Sequence, residues 1–233
     1  MIEKQLPESE VYEKGLLYWP YSSSQQFVLD KVAELASKNG CLLDIMCGPG
    51  NLLGRIANIR PDLKLTGVDK KPQYTQYIEK MYPGVISVWG DVLYWHPTSP
   101  FDIVICTGSL HHLPYNLQEK AIASIAAMVK HGKPVIIADC YIDDYSNEIE
   151  RKKAAEKLGH EYTQVTIKNG APDDVLAWTL DITWNDVFQK EWKTSIVKRL
   201  PLLKKHFRKV QTVKTWPEDS GYSYGDYVHI CST

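Results

Sequence analysis

The chain has 233 residues, of which 44% are hydrophobic and 24% are charged. These are ordinary values for a globular protein, and the length suits one α/β domain with an insertion. The 27 basic and 28 acidic residues nearly balance, so bulk electrostatics favours neither nucleic acid nor an anionic membrane as a partner. No apolar run approaches the ~20 residues of a membrane span. The five cysteines form no C-x-x-C pair, which favours buried thiols in a reduced, cytoplasmic protein.

Predicted strands and helices alternate over the first 140 residues. An aromatic N-terminal stretch leads into a helix from Ser23 or Ser24 to about Lys38. Strands are predicted at 41–46, 64–69, 85–89, 101–106 and 134–140, and helices at 51–59, 72–81 and 116–130. Several strands are too apolar to be exposed on one face, which is typical of a parallel sheet covered by helices on both sides.

The pattern changes after Cys140. Helices are predicted near 146–158 and 173–190, separated by T-I-K-N-G-A-P, and another at about 193–206. Strands at 209–216 and 224–231 flank P-E-D-S-G-Y-S and predict a hairpin. We therefore expect an N-terminal cap and first helix in residues 1–40, a doubly wound core in 41–141, a helical lid in 142–192, and a final helix and hairpin in 193–233.

A glycine turn follows the first strand, in the sequence C-L-L-D-I-M-C-G-P-G-N-L-L-G of residues 41–54. Glycine lets a ligand approach the backbone closely, and ligands of doubly wound sheets bind beyond the carboxyl ends of the strands. Those ends carry Asp44 to Gly50, Asp69, Gly90-Asp91, Thr107 to His112 and Asp139 to Tyr141. Asp69 follows Gly50 by 19 positions (69 − 50), a spacing typical of an acid that binds ribose.

The glycine spacing separates two nucleotide classes. A dinucleotide site needs G-x-G-x-x-G, whereas Gly48, Gly50 and Gly54 give G-x-G-x-x-x-G. Asp44, just before the turn, would repel a pyrophosphate but attract an ammonium group. S-adenosylmethionine (SAM), a nucleoside that carries an amino-acid cation, therefore fits better than NAD.

Residues 41–140 resemble a class I SAM-dependent methyltransferase of the small-molecule type. The family's acid and glycine motif matches Asp44, Gly48 and Gly50, its ribose acid matches Asp69, and its later Gly-Asp pair matches Gly90-Asp91. The segment S-L-H-H-L after the fourth strand is also common in that family. The resemblance implies a cofactor site formed by Asp44, Met46, Gly48, Gly50, Asp69, Lys70, Asp91, Val92, Thr107 and Tyr18.

The resemblance also implies a fold and a reaction. The fold is a Rossmann-like, doubly wound, seven-stranded and mostly parallel α/β sheet with an antiparallel C-terminal hairpin and a helical lid insertion. The reaction is in-line transfer of the SAM methyl group to a small-molecule acceptor, in a cytoplasmic enzyme of secondary metabolism for which a homodimer is one option. The sequence C-T-G-S after the fourth strand differs from the N/D-P-P-Y/F of amino-nitrogen methylases, which counts against a nucleic-acid substrate.

Candidate catalytic residues lie at the end of the fourth strand and in the N-terminal stretch. His111 and His112 are the best general-base candidates, with packing and a backbone hydrogen bond as the alternative; Tyr21 is a further candidate and His160 a weaker one. No metal site is predicted, because Asp143-Asp144 is better explained as a solvated helix start.

Aromatic residues are expected around the ligand. Those of the N-terminal stretch either cap the sulfonium by cation–π attraction or form an amphipathic helix on the sheet, and those of the lid could wall a substrate pocket. The first group is Tyr12, Tyr18, Trp19 and Tyr21, and the second is Tyr162, Trp178, Trp184, Phe188 and Trp192.

Met46 departs from the family pattern, which has Gly or Ala at this position. Its side chain must turn into the core or crowd the amino-acid end of SAM. Two alternatives therefore stay open. One is an enzyme that attacks the aminobutyrate Cγ of SAM and expels methylthioadenosine, by cyclisation to azetidine-2-carboxylate or by aminocarboxypropyl transfer. The other is a protein that binds SAM without catalysis.

Overall fold

The computed structural model describes residues 9–188, 190–218 and 221–233. The first eight residues of the expected N-terminal cap lie outside this range, as do one position of the predicted helix 173–190 and two of the predicted hairpin turn.

Helices and strands alternate along the described chain much as expected. The helices are α1 (Ser9–Gly15), α2 (Ser22–Leu35), α3 (Asn51–Ile59), α4 (Pro72–Met81), α5 (Tyr115–Met128), α6 (Glu148–Lys168), α7 (Asp173–Val187) and α8 (Ile196–His206). The strands are β1 (Cys41–Ile45), β2 (Lys64–Asp69), β3 (Val85–Trp89), β4 (Ile103–Thr107), β5 (Pro134–Tyr141), β6 (Lys209–Trp216) and β7 (Gly225–Ser232). A 3-10 turn at Leu110–His112 follows β4.

The seven strands form one sheet in the order β3-β2-β1-β4-β5-β7-β6. Strands β1 to β5 run parallel, and β7 lies antiparallel between β5 and β6. The predicted mostly parallel sheet with an antiparallel C-terminal hairpin is confirmed. Because parallel strands end at the same edge, the residues after β1, β2, β4 and β5 lie side by side there.

The sheet is buried on both faces. Alternate residues of β1 point to opposite sides: Leu42 belongs to a core cluster that includes residues of α2 and α3, and Leu43 to a cluster that includes residues of α5 and α8. Both side chains are fully buried. Covering both faces explains why the predicted strands are apolar throughout.

Local signals set several helix starts. The side chain of Asn147 accepts a hydrogen bond from the Glu150 amide at 3.0 Å and caps α6, and Ser195 caps α8 in the same way through Lys198. Pro72 stands in the first turn of α4, where its missing N–H costs nothing.

The region of the expected lid consists of α6 and α7, which pack against each other. The guanidinium of Arg151 on α6 is buried and donates to the carbonyls of Asp186 and Val187 at the end of α7, at 2.9 Å each. Helix α6 extends ten residues beyond the predicted end at 158. It ends at Lys168, within the segment T-I-K-N-G-A-P that was predicted to separate the two helices, and Gly159 inside the helix packs against Thr183 of α7.

No helix of residues 9–188, 190–218 and 221–233 is long and apolar enough to cross a membrane.

Candidate active site

A cavity of about 430 Å³ opens at the carboxyl ends of the parallel strands. Its floor is formed by residues that follow β1, β2, β3, β4 and β5, and its roof by the N-terminal segment together with α6 and α7. The floor includes Met46 to Pro49, Asp69 to Lys71, Gly90 to Val92, Thr107 to Ser109 and Cys140. The topology thus brings the strand-end residues identified in the sequence into one site.

Asp69 connects the glycine turn to the end of β2. Its carboxylate accepts hydrogen bonds from the Gly48 and Lys71 amides, each at 2.9 Å. Burial raises the pKa of Asp69 above its ordinary value, although the two amide bonds oppose the shift. The arrangement holds the carboxylate rigidly on the cavity wall.

The two turn glycines have different roles. Gly50 has φ +80°, and a Cβ there would lie 2.5 Å from Ile78 Cγ1, so Gly50 is required for packing against α4. Gly48 has φ +56°, and a Cβ there would have no described atom within 4 Å. Gly48 lines the cavity, whereas Gly50 does not. The wall at Gly48 is therefore bare backbone that a ligand can approach closely.

Two hydrogen-bond acceptors in this region have no partner among the described residues. They are the buried oxygens Asp44 Oδ1 and Asn51 Oδ1, on either side of the glycine turn in sequence. Burial and the neighbouring Asp69 raise the pKa of Asp44 well above its ordinary value. Unpartnered acceptors here suit a ligand that donates hydrogen bonds, as the ammonium group of SAM does.

The other predicted cofactor residues divide into two groups. Lys70, Asp91, Val92 and Thr107 line the cavity with Asp69 and Gly48. Asp44, Gly50 and Tyr18 do not. Tyr18 points its carbonyl at the Asn169 side chain instead, which donates to it at 2.7 Å. The structure therefore does not bring Tyr18 into the candidate site.

Met46 lies between the core and the cavity. Its backbone has φ +60°, and its carbonyl accepts a hydrogen bond from Ser109 Oγ at 2.9 Å. Its side chain packs against the buried cluster on one face of the sheet and also lines the cavity. The side chain thus packs on the core and also borders the cavity, and its proximity to the cofactor stays a prediction.

His111 and His112 form a polar corner of the cavity with Glu191. The Nδ1 atom of His111 lies 2.5 Å from Asp139 Oδ1, and its Nε2 atom lies 3.8 Å from Glu191 Oε2. The Nδ1 atom of His112 lies 3.6 Å from Glu191 Oε1. Neither histidine is a simple packing residue, since both line the cavity. We use "polar corner" below for His111, His112 and Glu191.

Backbone hydrogen bonds bring the polar corner together from distant segments. The Trp192 amide donates to the His111 carbonyl at 2.7 Å, and the Gln118 side chain donates to the carbonyls of Leu113 and Trp192. These contacts fix the segment after α7 against the 3-10 turn after β4. Glu191 reaches the histidines for this reason.

Buried charges surround the polar corner. Burial raises the pKa of Asp139, but His111 and then Arg199 outweigh it and leave the pKa below its ordinary value. Lys193 lies 2.7 Å from Glu191 Oε2, and although burial lowers its pKa, Asp186 and Glu191 raise it further. Asp139 therefore stays ionised and Lys193 stays charged at neutral pH.

Aromatic side chains form much of the roof. Tyr12, Trp19 and Tyr21 from the N-terminal segment and Tyr162, Trp178 and Trp192 from the lid region line the cavity. Trp19 Nε1 donates to Thr179 Oγ1 of α7 at 2.8 Å, which ties the two parts of the roof together. The N-terminal segment is thus both a short helix, α1, and part of the roof.

Tyr21 is unsuited to act as a base. Its hydroxyl donates to the Ala138 carbonyl at 3.3 Å, and burial raises its pKa well above the ordinary value, with Cys140 adding to the shift. It is a neutral phenol facing the cavity. The geometry makes it a wall residue and hydrogen-bond donor.

Three predicted residues lie away from the cavity. His160 is exposed on α6, and Trp184 and Phe188 are exposed and stack on each other with ring centroids 5.6 Å apart. Their expected roles in the pocket were wrong, because they project from the outer faces of the two helices.

Asp139 lies near the carboxyl end of β5 and was named from the sequence as a strand-end residue, but without a role. Glu191 was not singled out. Glu191 carries no motif, and only the packing of the segment after α7 places it in the site.

The fold and the candidate site resemble those of one class of protein. A seven-stranded sheet of this order, with a bare glycine turn after β1 and an acid at the end of β2, is similar to the arrangement in class I SAM-dependent methyltransferases. Residues 42–132 match the family described as "Methyltransferase domain". The chain is therefore similar to a methyltransferase domain over these residues.

Known proteins support this assignment. An uncharacterized methyltransferase of Geobacillus sp. is 28% identical over 145 residues, which cover 57% of this chain and 67% of that protein. A trans-aconitate 2-methyltransferase of Escherichia coli is 30% identical over 71 residues, 30% of this chain and 28% of that protein. The N-methyltransferase NodS of Bradyrhizobium japonicum, solved with S-adenosylhomocysteine, superposes with a TM-score of 0.60 at 12% identity and covers 96% of both chains. The similarity to NodS is a similarity of fold alone.

Proposed function

We propose that this protein transfers the methyl group of SAM to a small-molecule acceptor enclosed in the cavity. The observation that carries the proposal is that a single cavity contains both a cofactor end and an acceptor end. One end has the glycine turn and Asp69, and the other has the polar corner beneath an aromatic roof. The methyltransferase domain over residues 42–132 supports the same reaction.

The cofactor end is suited to SAM. The Asp69 carboxylate would bind the ribose hydroxyls, Asp91 and Val92 would hold the adenine, and Asn51 would supply an acceptor for the ammonium group. Tyr12, Trp19 and Tyr21 place aromatic faces over the cavity, where the sulfonium is stabilised by cation–π attraction of about 2 kcal/mol when desolvated.

The acceptor end binds and activates the nucleophile. Methyl transfer is an in-line displacement at carbon, so correct positioning of the acceptor supplies much of the acceleration. A protic acceptor must also lose its proton, and the polar corner is the part of the cavity able to remove it. His111 is oriented for this by Asp139 at 2.5 Å.

The enclosed cavity favours a small acceptor over a nucleic-acid chain. The methyl end of SAM and the acceptor must both fit in a cavity of about 430 Å³. Helices α6 and α7 and the N-terminal segment cover that cavity. A cytoplasmic location, a role in secondary metabolism and a homodimer remain predictions.

Product analysis tests the proposed reaction. The purified protein is incubated with SAM and a panel of small acceptors, and the sulfur product is identified by mass spectrometry. Trans-aconitate belongs in the panel because one relative is named for it. S-adenosylhomocysteine together with a methylated acceptor is the expected result. Methylthioadenosine would instead show attack on the aminobutyrate chain, and tightly bound, unreacted SAM with every acceptor and with cell extract would show a binding protein.

A further inference from the structure

The polar corner contains the ligand set of a metal site. His111 and His112 come from the 3-10 turn after β4 and Glu191 from the segment after α7, and their ligand atoms all lie within 4.8 Å of one another. We propose that these three side chains bind a divalent transition-metal ion, such as Zn²⁺ or Co²⁺, which holds an oxygen of the acceptor. This inference rests on the proposed function and changes the chemistry of its acceptor end: the bound ion, in place of His111 as a base, would activate the acceptor.

The separations are close to those that a metal ion requires. With metal–ligand bonds of about 2.0 to 2.2 Å, neighbouring ligand atoms lie about 3.0 to 3.5 Å apart. The pairs of His111 Nε2 with Glu191 Oε2 and of His112 Nδ1 with Glu191 Oε1 are separated by 3.8 and 3.6 Å. All the ligand atoms lie within 4.8 Å of one another, so side-chain movements of up to about 1.3 Å would bring them to the required spacing.

A buried carboxylate orients His111 as a metal-binding histidine is oriented. Metal-bound histidines usually donate their second ring N–H to a carboxylate or a carbonyl, which fixes the tautomer and increases ligand basicity. Asp139 is 1% exposed and lies 2.5 Å from His111 Nδ1. A proton on Nδ1 leaves the Nε2 lone pair directed towards Glu191.

Lys193 orients the Glu191 carboxylate. Its ammonium lies 2.7 Å from Oε2, the oxygen nearer His111, whereas Oε1 is the oxygen nearer His112. Ligating carboxylates are commonly hydrogen-bonded in this way. The positive charge of Lys193 opposes any cation nearby, so binding would depend on the nitrogen bonds of the two histidines.

The donor set selects the kind of ion. Two imidazoles and one carboxylate suit Zn²⁺, Fe²⁺ or Co²⁺, whereas Mg²⁺ and Ca²⁺ prefer all-oxygen sites. Three protein ligands leave coordination positions on the cavity side. An acceptor hydroxyl bound there would lose its proton to solvent water, because coordination lowers its pKa. The resulting oxygen anion attacks the SAM methyl carbon as the C–S bond breaks, giving the methyl ether and S-adenosylhomocysteine.

Metal titration tests the site without using activity. Protein freed of metal by a chelator and dialysis is titrated with ZnCl₂ by calorimetry, and with CoCl₂ while its visible absorption is followed. We expect one ion per chain, and binding weakened at least about ten-fold in Glu191→Gln and in His112→Ala. The matched control is His131→Ala, because His131 is an exposed histidine outside the cavity. Wild-type binding no tighter than in both site variants, or equally weakened in the control, would overturn the proposal.

Two further measurements separate this proposal from the proposed function. Circular dichroism and SAM titration on the metal-free protein and on each variant show that the fold and the cofactor site are intact. Methyl transfer to a hydroxyl acceptor should be lost after chelation and restored by Zn²⁺ or Co²⁺. Full activity in metal-free protein would overturn the metal's role and leave methyl transfer standing, whereas failure to bind SAM would overturn the proposed function itself.

Discussion

Met46 holds its backbone in the left-handed region, where residues with a Cβ are strained by about 1 to 2 kcal/mol. The φ of +60° gives a physical reason for the small residue that the resembling family has at this position. In this protein the side chain offsets part of the strain by packing against the core cluster that includes Leu43 and Ile45.

Substitutions of Met46 separate strain from packing. Both Met46→Ala and Met46→Gly remove the side-chain contacts, but only glycine also removes the strain. We therefore expect Met46→Ala to be the less stable variant by about 1 kcal/mol in free energy of unfolding, measured by denaturant titration. Equal stability of the two variants would show that the left-handed backbone costs nothing here.

Asp69 offers a test of the cofactor site. Asp69→Ala removes the carboxylate that faces the cavity, and we expect SAM affinity to fall by at least about ten-fold, measured by calorimetry. Asp69→Asn keeps an oxygen for one of the Gly48 and Lys71 amides, so it should preserve more of the turn while still weakening ribose binding. Asp30→Ala, at an exposed site on α2, is the control for loss of a carboxylate. Wild-type affinity in folded Asp69→Ala would refute the assignment.

Helices α6 and α7 cross closely at Gly159, and both helices contribute to the roof of the cavity. A Cβ at this position would collide with the Thr183 side chain. Overpacking of this kind costs about 1 to 3 kcal/mol. Gly159 also lines the cavity, so the crossing joins packing between elements to the shape of the site.

Gly159→Ala should therefore destabilise the protein although alanine is the better helix former. We expect a loss of about 1 kcal/mol or more in free energy of unfolding and weaker binding in the cavity. Gly84→Ala is the matched control, since Gly84 is exposed and a Cβ there would meet no described atom within 4 Å. That variant should be neutral or stabilised by up to about 1 kcal/mol. A stabilised Gly159→Ala would mean that the crossing is loose.

The elements that could be predicted from the sequence are those with local causes. The strands β1 to β5 have apolar runs bounded by Gly, Pro or Asn, and the cofactor acids follow directly from strand ends. The end of α6 at Lys168 was predicted ten residues too early, although Asn169 and Gly170 directly after it are a local stop signal.

In the acceptor end of the site, too, some residues could be predicted from local sequence and others depend on tertiary packing. His111 and His112 follow β4 within a recognisable segment, so their place at the sheet edge was predictable. Their partner Glu191 lies about 80 positions later (191 − 111), and its approach depends on the hydrogen bonds of Trp192 and Gln118. No local pattern encodes such a contact.

At the scale of the whole molecule, the lid region and the sheet are joined through a buried acid. Asp226 lies on β7 opposite Cys140 of β5, and the hydroxyl of Tyr162 on α6 donates to its Oδ1. Tyr162 also contacts Cys140 Sγ at 3.4 Å. Burial raises the pKa of Asp226 to about 7, with Asp139 adding to the shift and Tyr162, Cys140 and Lys193 opposing it.

This acid should make stability depend on pH in an unusual direction. Between about pH 4 and pH 7 the unfolded chain has released the Asp226 proton while the folded protein still holds it. The folded state then binds more protons, so the contribution of Asp226 to the free energy of unfolding falls as pH rises, by up to about 1.4 kcal/mol per pH unit. Above pH 7 both states are ionised and the contribution becomes constant.

The contribution of Asp226 is measured as the difference in free energy of unfolding between the wild type and Asp226→Asn, because other carboxyls also titrate in this range. Asp226→Asn cannot lose a proton and keeps a carboxamide oxygen for Tyr162. We expect the stability of the wild type relative to Asp226→Asn to decline from pH 4 to pH 7, measured by denaturant titration at each pH. Asp30→Asn, at an exposed site on α2, is the matched control for replacing a carboxylate. A flat difference for Asp226→Asn would mean that the carboxyl ionises in the folded state as it does in water, so that the acid beneath the lid is solvated and not buried.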